Sequence, residues 1–265
     1  MRTSFSAEET GGLGPIVLEH PPGSFEPTAA SRIGLLTVGR HQDLLGGVGV
    51  DWGCGVGVLA IATALVPSVE KVVGLDVAPA NVEQAHTNAE INRVEDRTAF
   101  HVADSMSPVD AGGAAVLEGL TGRVDFVVAN PPASVGDDGF GFRRRVMEDV
   151  APFLVAGGIV LLNVSAQYGM ARVLALQSGV FTYQGMLEST DAVPFDQARP
   201  DLAENLADYV AEEARGGVTY EFLSAAGETI SATEARRRYQ ATGSSPLSRW
   251  QVHLFRKGEW PAVTA

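Results

Sequence analysis

The stretch Val48-Gly49-Val50-Asp51-Trp52-Gly53-Cys54-Gly55-Val56-Gly57-Val58 decides how this chain is read. A short apolar run rich in β-branched residues ends in an acid, and three glycines follow at alternate positions. An apolar segment of helical spacing, residues 58–65, comes next. Strand, tight turn and helix in that order open a βαβ unit. Glycines at 53, 55 and 57 let the backbone turn sharply and approach a ligand with no Cβ in the way. That geometry suits a nucleoside cofactor. Gly55-Val56-Gly57-Val58-Leu59-Ala60 also approaches the nicotinamide dinucleotide fingerprint, so glycine spacing alone does not choose the cofactor.

Working outward, the same alternation continues. Strands are expected at 48–52, 71–76, 98–102, 124–129 and 158–164, with helices at 58–65, 79–93, 114–120, 143–155 and 166–177. Most of these strands are too apolar to have one wet face, as expected where helices cover both faces. Two further strands are read at 181–190 and 249–256. The 57 residues between them, 191–247, far exceed a hairpin loop of roughly 2–5 residues and should form a substructure of their own. Leu202, Leu206, Tyr209 and Val210 give it an amphipathic helix. The expected fold is α/β, a doubly wound, Rossmann-like seven-stranded sheet with an insertion between its last two strands. Its divisions are 1–30, 31–190, 191–247 and 248–265.

In such a sheet, ligands bind beyond the carboxyl ends of the strands. Those ends read Asp51 to Gly57, then Asp76-Val77, then Asp104-Ser105, then Asn130-Pro131-Pro132-Ala133. Asp76 follows Gly57 by 19 residues, where a carboxylate can accept from both ribose hydroxyls. Prolines after a buried strand donate no N–H and fix φ, so the carbonyls of Asn130 and Pro131 can be held toward a pocket. With the Asn130 side-chain oxygen they could grip an –NH2 group and aim its lone pair at an electrophile.

Taken together, Asp51-x-Gly53-x-Gly55-x-Gly57, Asp76, Asp104 and Asn130-Pro131-Pro132 resemble a class I S-adenosylmethionine-dependent methyltransferase. Within that superfamily the chain is similar to the Asn-Pro-Pro branch of protein glutamine and adenine-N6 methyltransferases. Phe25-Glu26-Pro27-Thr28 resembles the segment that closes over the cofactor in the glutamine enzymes, and His86 to Asn92 resembles the end of the family's second helix, a packing and capping element. The resemblance implies S-adenosylmethionine held by Phe25, Thr28, Asp51, Gly53, Gly55, Gly57, Asp76, Val77, Asp104, Ser105 and Asn130. It places Asn130, Pro131 and Pro132 at the acceptor and requires no metal. One departure concerns the acceptor: the branch usually carries an aromatic residue after the second proline, and this chain has Ala133. Phe140, Phe142 or Tyr168 would have to replace it.

The remaining composition narrows the classes. Acidic residues outnumber basic ones, 32 to 19, and a net charge of −13 disfavours nucleic acid as partner. A single cysteine, Cys54, allows no intrachain disulfide and fits a reducing cytoplasm. The first twelve residues lack a secretory apolar region, and the apolar run 56–66 is too short to span a bilayer, so no membrane role is expected. The five histidines are scattered without metal-ligand spacing. No Gly-x-Ser-x-Gly elbow or phosphate-binding Gly-Lys-Ser/Thr loop supports a hydrolase or kinase. The expected activity is methyl transfer to a nitrogen of a small molecule or protein side chain. An RNA adenine-N6 methyltransferase, a small-molecule O-methyltransferase and a silent cofactor-binding scaffold are the other readings. The insertion is either a lid over the acceptor or a homodimer contact, and the clusters Arg143 to Arg145 and Arg236 to Arg238 are either anion holders or solvated faces.

Overall fold

The computed structural model describes residues 1–258, so the tail beyond them lies outside the described residues. The chain opens with a hairpin, β1 (Arg2–Phe5) and β2 (Ile16–Glu19), followed by α1 (Ala29–Arg40). Next come β3 (Gly47–Trp52), α2 (Val58–Ala64), β4 (Val69–Asp76), α3 (Pro79–Asn92), β5 (Thr98–Asp104) and the two-residue β6 (Ser107–Pro108). Then follow α4 (Ala111–Leu120), β7 (Val124–Ala129), α5 (Gly141–Val150), β8 (Leu154–Ser165), α6 (Gly169–Leu174) and β9 (Phe181–Ser189). The insertion holds β10 (Val193–Pro194), α7 (Pro200–Ala214), β11 (Phe222–Leu223), β12 (Thr229–Ile230), α8 (Ala232–Thr242) and β13 (Leu247–Ser248). After it, β14 (Trp250–Lys257) returns to the main sheet.

The main sheet runs β6-β5-β4-β3-β7-β8-β14-β9. Strands β5, β4, β3, β7 and β8 are parallel, and β14 lies antiparallel between β8 and β9. The seven expected strands are all present, and β6 adds an eighth, antiparallel to the end of β5. The order reverses at β3, which pairs with β4 on one side and β7 on the other; such a switch point opens a crevice at the strand's carboxyl end.

Alternation along the strands builds two cores. Val160, Leu162 and Val164 of β8 face α4, α5 and α6, whereas Ile159 and Leu161 face α1, α2 and α3. Every residue of α2 is buried, so the longest apolar run is a core helix. Among the described residues no helix is long and apolar enough to cross a membrane. The helix expected at 143–155 stops at Val150, because Leu154 pairs with Val124 and begins β8. The helix expected at 166–177 shortens to α6 behind a single 3₁₀ turn. The insertion forms its own four-stranded sheet, β10-β13-β11-β12, with α7 packed on α8. Its Tyr209, Tyr220 and Phe222 join the core on the α4–α6 side.

The N-terminal hairpin is held by two amides of α3. Asn92 accepts from Val17 N–H at 2.9 Å and donates to its carbonyl at 2.7 Å; Asn88 accepts from Glu19 N–H at 2.8 Å and donates to its carbonyl at 3.0 Å. Four residues along a helix rise about as far as two along a strand, so the two amides meet β2 as a neighbouring strand would. Asn88 is fully buried and also donates to Val56 O at 2.9 Å, next to the glycine loop. The packing role expected for this helix end is the one seen. Asn88→Leu should lower unfolding free energy by about 2–4 kcal/mol, since it strands the buried Val56 carbonyl and two part-buried backbone groups of Glu19. Urea melts measure the loss, and hydrogen exchange should quicken in residues 2–19. Unchanged exchange there would mean that Phe5, Ile16 and Leu18 alone hold the hairpin.

Candidate functional site

At the carboxyl end of β3 the three glycines adopt left-handed conformations, with φ of 70° at Gly53, 54° at Gly55 and 89° at Gly57. Gly57 is the N-cap of α2 but has no side chain to cap with, so Asp51 reaches over and accepts from Ala60 N–H at 2.8 Å. Cys54 N–H donates to the Leu75 carbonyl at 2.9 Å and fastens the loop to β4. Asp76 organises the turn: one oxygen accepts from Gly55 N–H at 2.8 Å, the other from Ala78 N–H at 2.9 Å and Asn81 Nδ2 at 3.0 Å. The Asn81 oxygen in turn accepts from Phe25 N–H at 2.9 Å. Sequence reading missed Asn81, which ties the segment before α1 to the cofactor loop.

Phe25 covers the loop at one point and leaves it open at another. A Cβ on Gly55 would lie 2.9 Å from the Phe25 ring, whereas a Cβ on Gly53 would meet nothing within 4 Å. Thr28 is the N-cap of α1, its N–H donating to Ser31 Oγ at 3.1 Å, and Asn163 of β8 donates to the Ala30 carbonyl at 2.7 Å. Residues 25–30 are thereby pinned between α3 and β8.

Asp51 is fully buried. Burial, helped by the nearby Asp76 carboxylate and opposed by the Ala60 N–H, raises its pKa to about 7. Between about pH 4 and 7 the folded protein keeps a proton that the unfolded chain has released. The stabilisation from this group is therefore complete below about pH 4 and is lost as pH rises through 7, about 4 kcal/mol in all. Asn cannot ionise, so the stability of wild type relative to Asp51→Asn should fall by most of that amount between pH 4 and 8 in denaturant melts. A pH-independent difference would show that the carboxyl ionises normally.

Farther along the edge, Val77 is 69% exposed beside Asp76, an apolar face open to a ring. Ser105, with a left-handed φ of 59°, accepts from Trp52 Nε1 at 2.6 Å and donates to Asp149 Oδ2 at 2.5 Å. Arg145 bridges Asp149 and the exposed Asp104, at 3.1 and 2.7 Å. Helix α5 thus closes over the end of β5.

Asn130 is half-buried at the end of β7. Trp52 pairs with Ala129, so Asn130 and Gly53 leave adjacent strands side by side. The Asn130 side chain makes no hydrogen bond to the described residues, whereas the following carbonyls are engaged. Beneath them lies Arg143, 2% exposed, whose guanidinium donates to Pro131 O at 3.0 Å, Pro132 O at 3.2 Å and Asn163 O at 3.3 Å. It also sits over the Tyr168 and Phe140 rings, 4.9 and 5.5 Å from their centroids. Burial lowers its pKa, but a guanidinium stays charged at neutral pH. The Pro131 carbonyl, expected to face a pocket, spends a lone pair on this buried cation.

The three arginines of residues 143–145 do not converge on one site. Successive helix residues point about 100° apart. Arg143 therefore turns inward, Arg144 pairs with Asp137 and Asp138, and Arg145 pairs with Asp104 and Asp149. Arg237 and Arg238 likewise pair with Glu234. Of the aromatics expected to replace a ring at Ala133, Phe140 and Tyr168 are buried against Arg143; Phe142 is half-exposed, 6.4 Å from Trp52. Among the described residues no three acidic, histidine or cysteine side chains converge as metal ligands.

The family described as Ribosomal protein L11 methyltransferase (PrmA) matches residues 39–161, which run from the end of α1 into β8 and contain both the glycine loop and Asn130. Residues 39–161 form a class I S-adenosylmethionine-dependent methyltransferase core. A ribosomal protein L11 methyltransferase of Photobacterium profundum is 39% identical over 89 residues, covering 34% of this chain and 26% of the relative. One from Carboxydothermus hydrogenoformans is 39% identical over 116 residues, covering 44% and 32%. The chain thus aligns with a quarter to a third of these relatives' length. A methyltransferase of Pyrococcus furiosus has the same fold at 15% identity, with a TM-score of 0.52 over 91% of this chain and 89% of that one.

The methyltransferase core fits S-adenosylmethionine on its own geometry. The loop leaves open space above Gly53, where a Cβ would meet nothing within 4 Å. Beside it the Asp76 carboxylate holds Gly55 N–H, the Phe25 ring lies against Gly55, and Val77 is exposed.

Proposed function

We propose that the chain is an N-methyltransferase of the Asn-Pro-Pro type, acting on a small molecule or a protein side-chain nitrogen. The observation that carries this reading is Asn130, an amide without a partner among the described residues, beside the glycine loop and on a segment braced from below by Arg143. When bound, S-adenosylmethionine supplies an electrophilic methyl group on sulfur. The residues of this chain then have three tasks: Asp76 and the loop fix the cofactor, the segment 25–30 excludes water, and Asn130 accepts from an acceptor –NH2 to orient its lone pair. A reaction of this kind depends on alignment and dryness more than on a strong base.

The relatives' names point to a ribosomal protein acceptor, but the matched stretch ends before α6 and the insertion. Asn130 lies within the matched stretch, whereas α6 and the insertion lie beyond it and are free to set a different acceptor. The test is incubation of the purified protein with methyl-labelled S-adenosylmethionine and a cell extract split into small-molecule, protein and RNA fractions. Label in the small-molecule or protein fraction supports the proposal. Label in RNA alone, with a complex that weakens steeply with salt, would replace it with the nucleic-acid reading. Tight cofactor binding with no transfer to any fraction would favour a scaffold.

A further inference from the structure

A cavity of about 280 Å³ lies where β8 ends, between α6, the insertion's β11, β12 and β13, and the start of β14. It opens on the same carboxyl edge as the glycine loop, two strands along the sheet. Its size falls just below the roughly 300–1,000 Å³ of small-molecule sites and suits one amino-acid-sized ligand. Val164, Val173, Met170 and Leu223 supply apolar wall. The buried serines Ser165 and Ser248 both donate to Gln167 Oε1, which leaves their hydroxyls committed to the protein.

Two opposite charges line this cavity without meeting. Glu221, anchored by its N–H to the Gln167 carbonyl at 2.8 Å, lays its carboxylate across Gly169; a Cβ there would fall 2.6 Å from Oε1. Gly169 has a φ of 75°, so its conformation and its clearance both favour glycine. Arg249 lines the same cavity from the turn into β14. Neither side chain has an ion-pair or hydrogen-bond partner among the described residues. Other charged side chains also lack such partners, Arg93, Arg123 and Arg236 among them, but Glu221 and Arg249 are the charged residues that line this cavity. An unpaired cation and an unpaired anion around one amino-acid-sized space are complementary to a ligand that carries both charges.

We propose that this cavity binds a free amino-acid-type zwitterion, its ammonium against Glu221, its carboxylate against Arg249 and its side chain on the apolar wall. That the bound zwitterion is also the methyl acceptor rests on the function proposed above; the site itself does not. The test screens the twenty standard L-amino acids singly, at millimolar concentration, against the full chain by saturation-transfer NMR, with calorimetry on those that bind. At least one should bind. Its N-acetyl and methyl-ester forms should each bind at least tenfold more weakly, as should the parent amino acid to Arg249→Ala and Glu221→Gln. Both side chains are exposed and both variants should fold, retaining wild-type affinity for S-adenosylhomocysteine. A protein that binds S-adenosylhomocysteine but no amino acid overturns the site and leaves the proposed function standing. Equal binding of the blocked forms, or of a peptide carrying the same residue internally, overturns the zwitterion. Binding through both residues with no methyl transferred to the bound amino acid overturns only its role as acceptor.

Discussion

Arg143→Met is expected to lower methyl transfer by about a hundredfold while changing affinity for S-adenosylhomocysteine less than about threefold. The Pro131 and Pro132 carbonyls are fixed by one guanidinium, and that guanidinium is fixed by Asn163 O and two aromatic rings. Methionine fills similar space but donates nothing, so the segment carrying Asn130 gains freedom at the point where about 1 Å of misplacement costs about a hundredfold. Lysine should not restore the rate, because a single ammonium cannot reproduce a planar fork spanning three carbonyls. Arg143→Ala adds a cavity and should lower unfolding free energy by about 3–5 kcal/mol. Kinetics on the labelled acceptor, calorimetry with S-adenosylhomocysteine and urea melts separate these effects. Wild-type transfer by Arg143→Met would show that the two prolines hold the segment unaided.

Arg143 also marks where the sequence stops being legible. The strands were readable because a parallel sheet covered on both faces leaves apolar runs such as Val124 to Ala129, and each run ended in a residue that now borders the site. The loop glycines and Asp76 were readable because positive φ and a strand-end carboxylate leave few alternative residues. Arg143, Arg144 and Arg145 look alike as a run. Only the orientation of α5 decides that the first is buried under the Asn-Pro-Pro segment and the others pair with nearby acids. Asn81 was equally hidden: its importance lies in joining Phe25 to Asp76 across 56 and 5 residues of chain, a contact no local pattern encodes. The N-terminal hairpin escaped because two side-chain amides of α3 stand in for its missing neighbouring strand. The insertion's two-residue strands are too short to show alternation, so only its length and one amphipathic helix announced it.

Asn130→Ala should reduce turnover by about a hundredfold to a thousandfold, with cofactor affinity and stability nearly unchanged. The separation follows from what Asn130 does not do: its side chain forms no hydrogen bond with the described residues, so truncation leaves no buried group unpaired and the fold loses little. That distinguishes it from Arg143→Ala, whose loss of function would arrive together with a loss of stability. The two substitutions test successive links of one argument, since Arg143 acts through the segment and Asn130 on the acceptor. Asn130→Asp provides the chemical control: a carboxylate still accepts from an –NH2 group but donates nothing, so it should retain more activity than alanine if acceptance is the role. If Asp and Ala were equally slow, the amide N–H would be the working group. If turnover and cofactor affinity fell together, Asn130 would belong to the wall of the cofactor cradle, because a residue that only orients the acceptor has no means of weakening a ligand it does not touch.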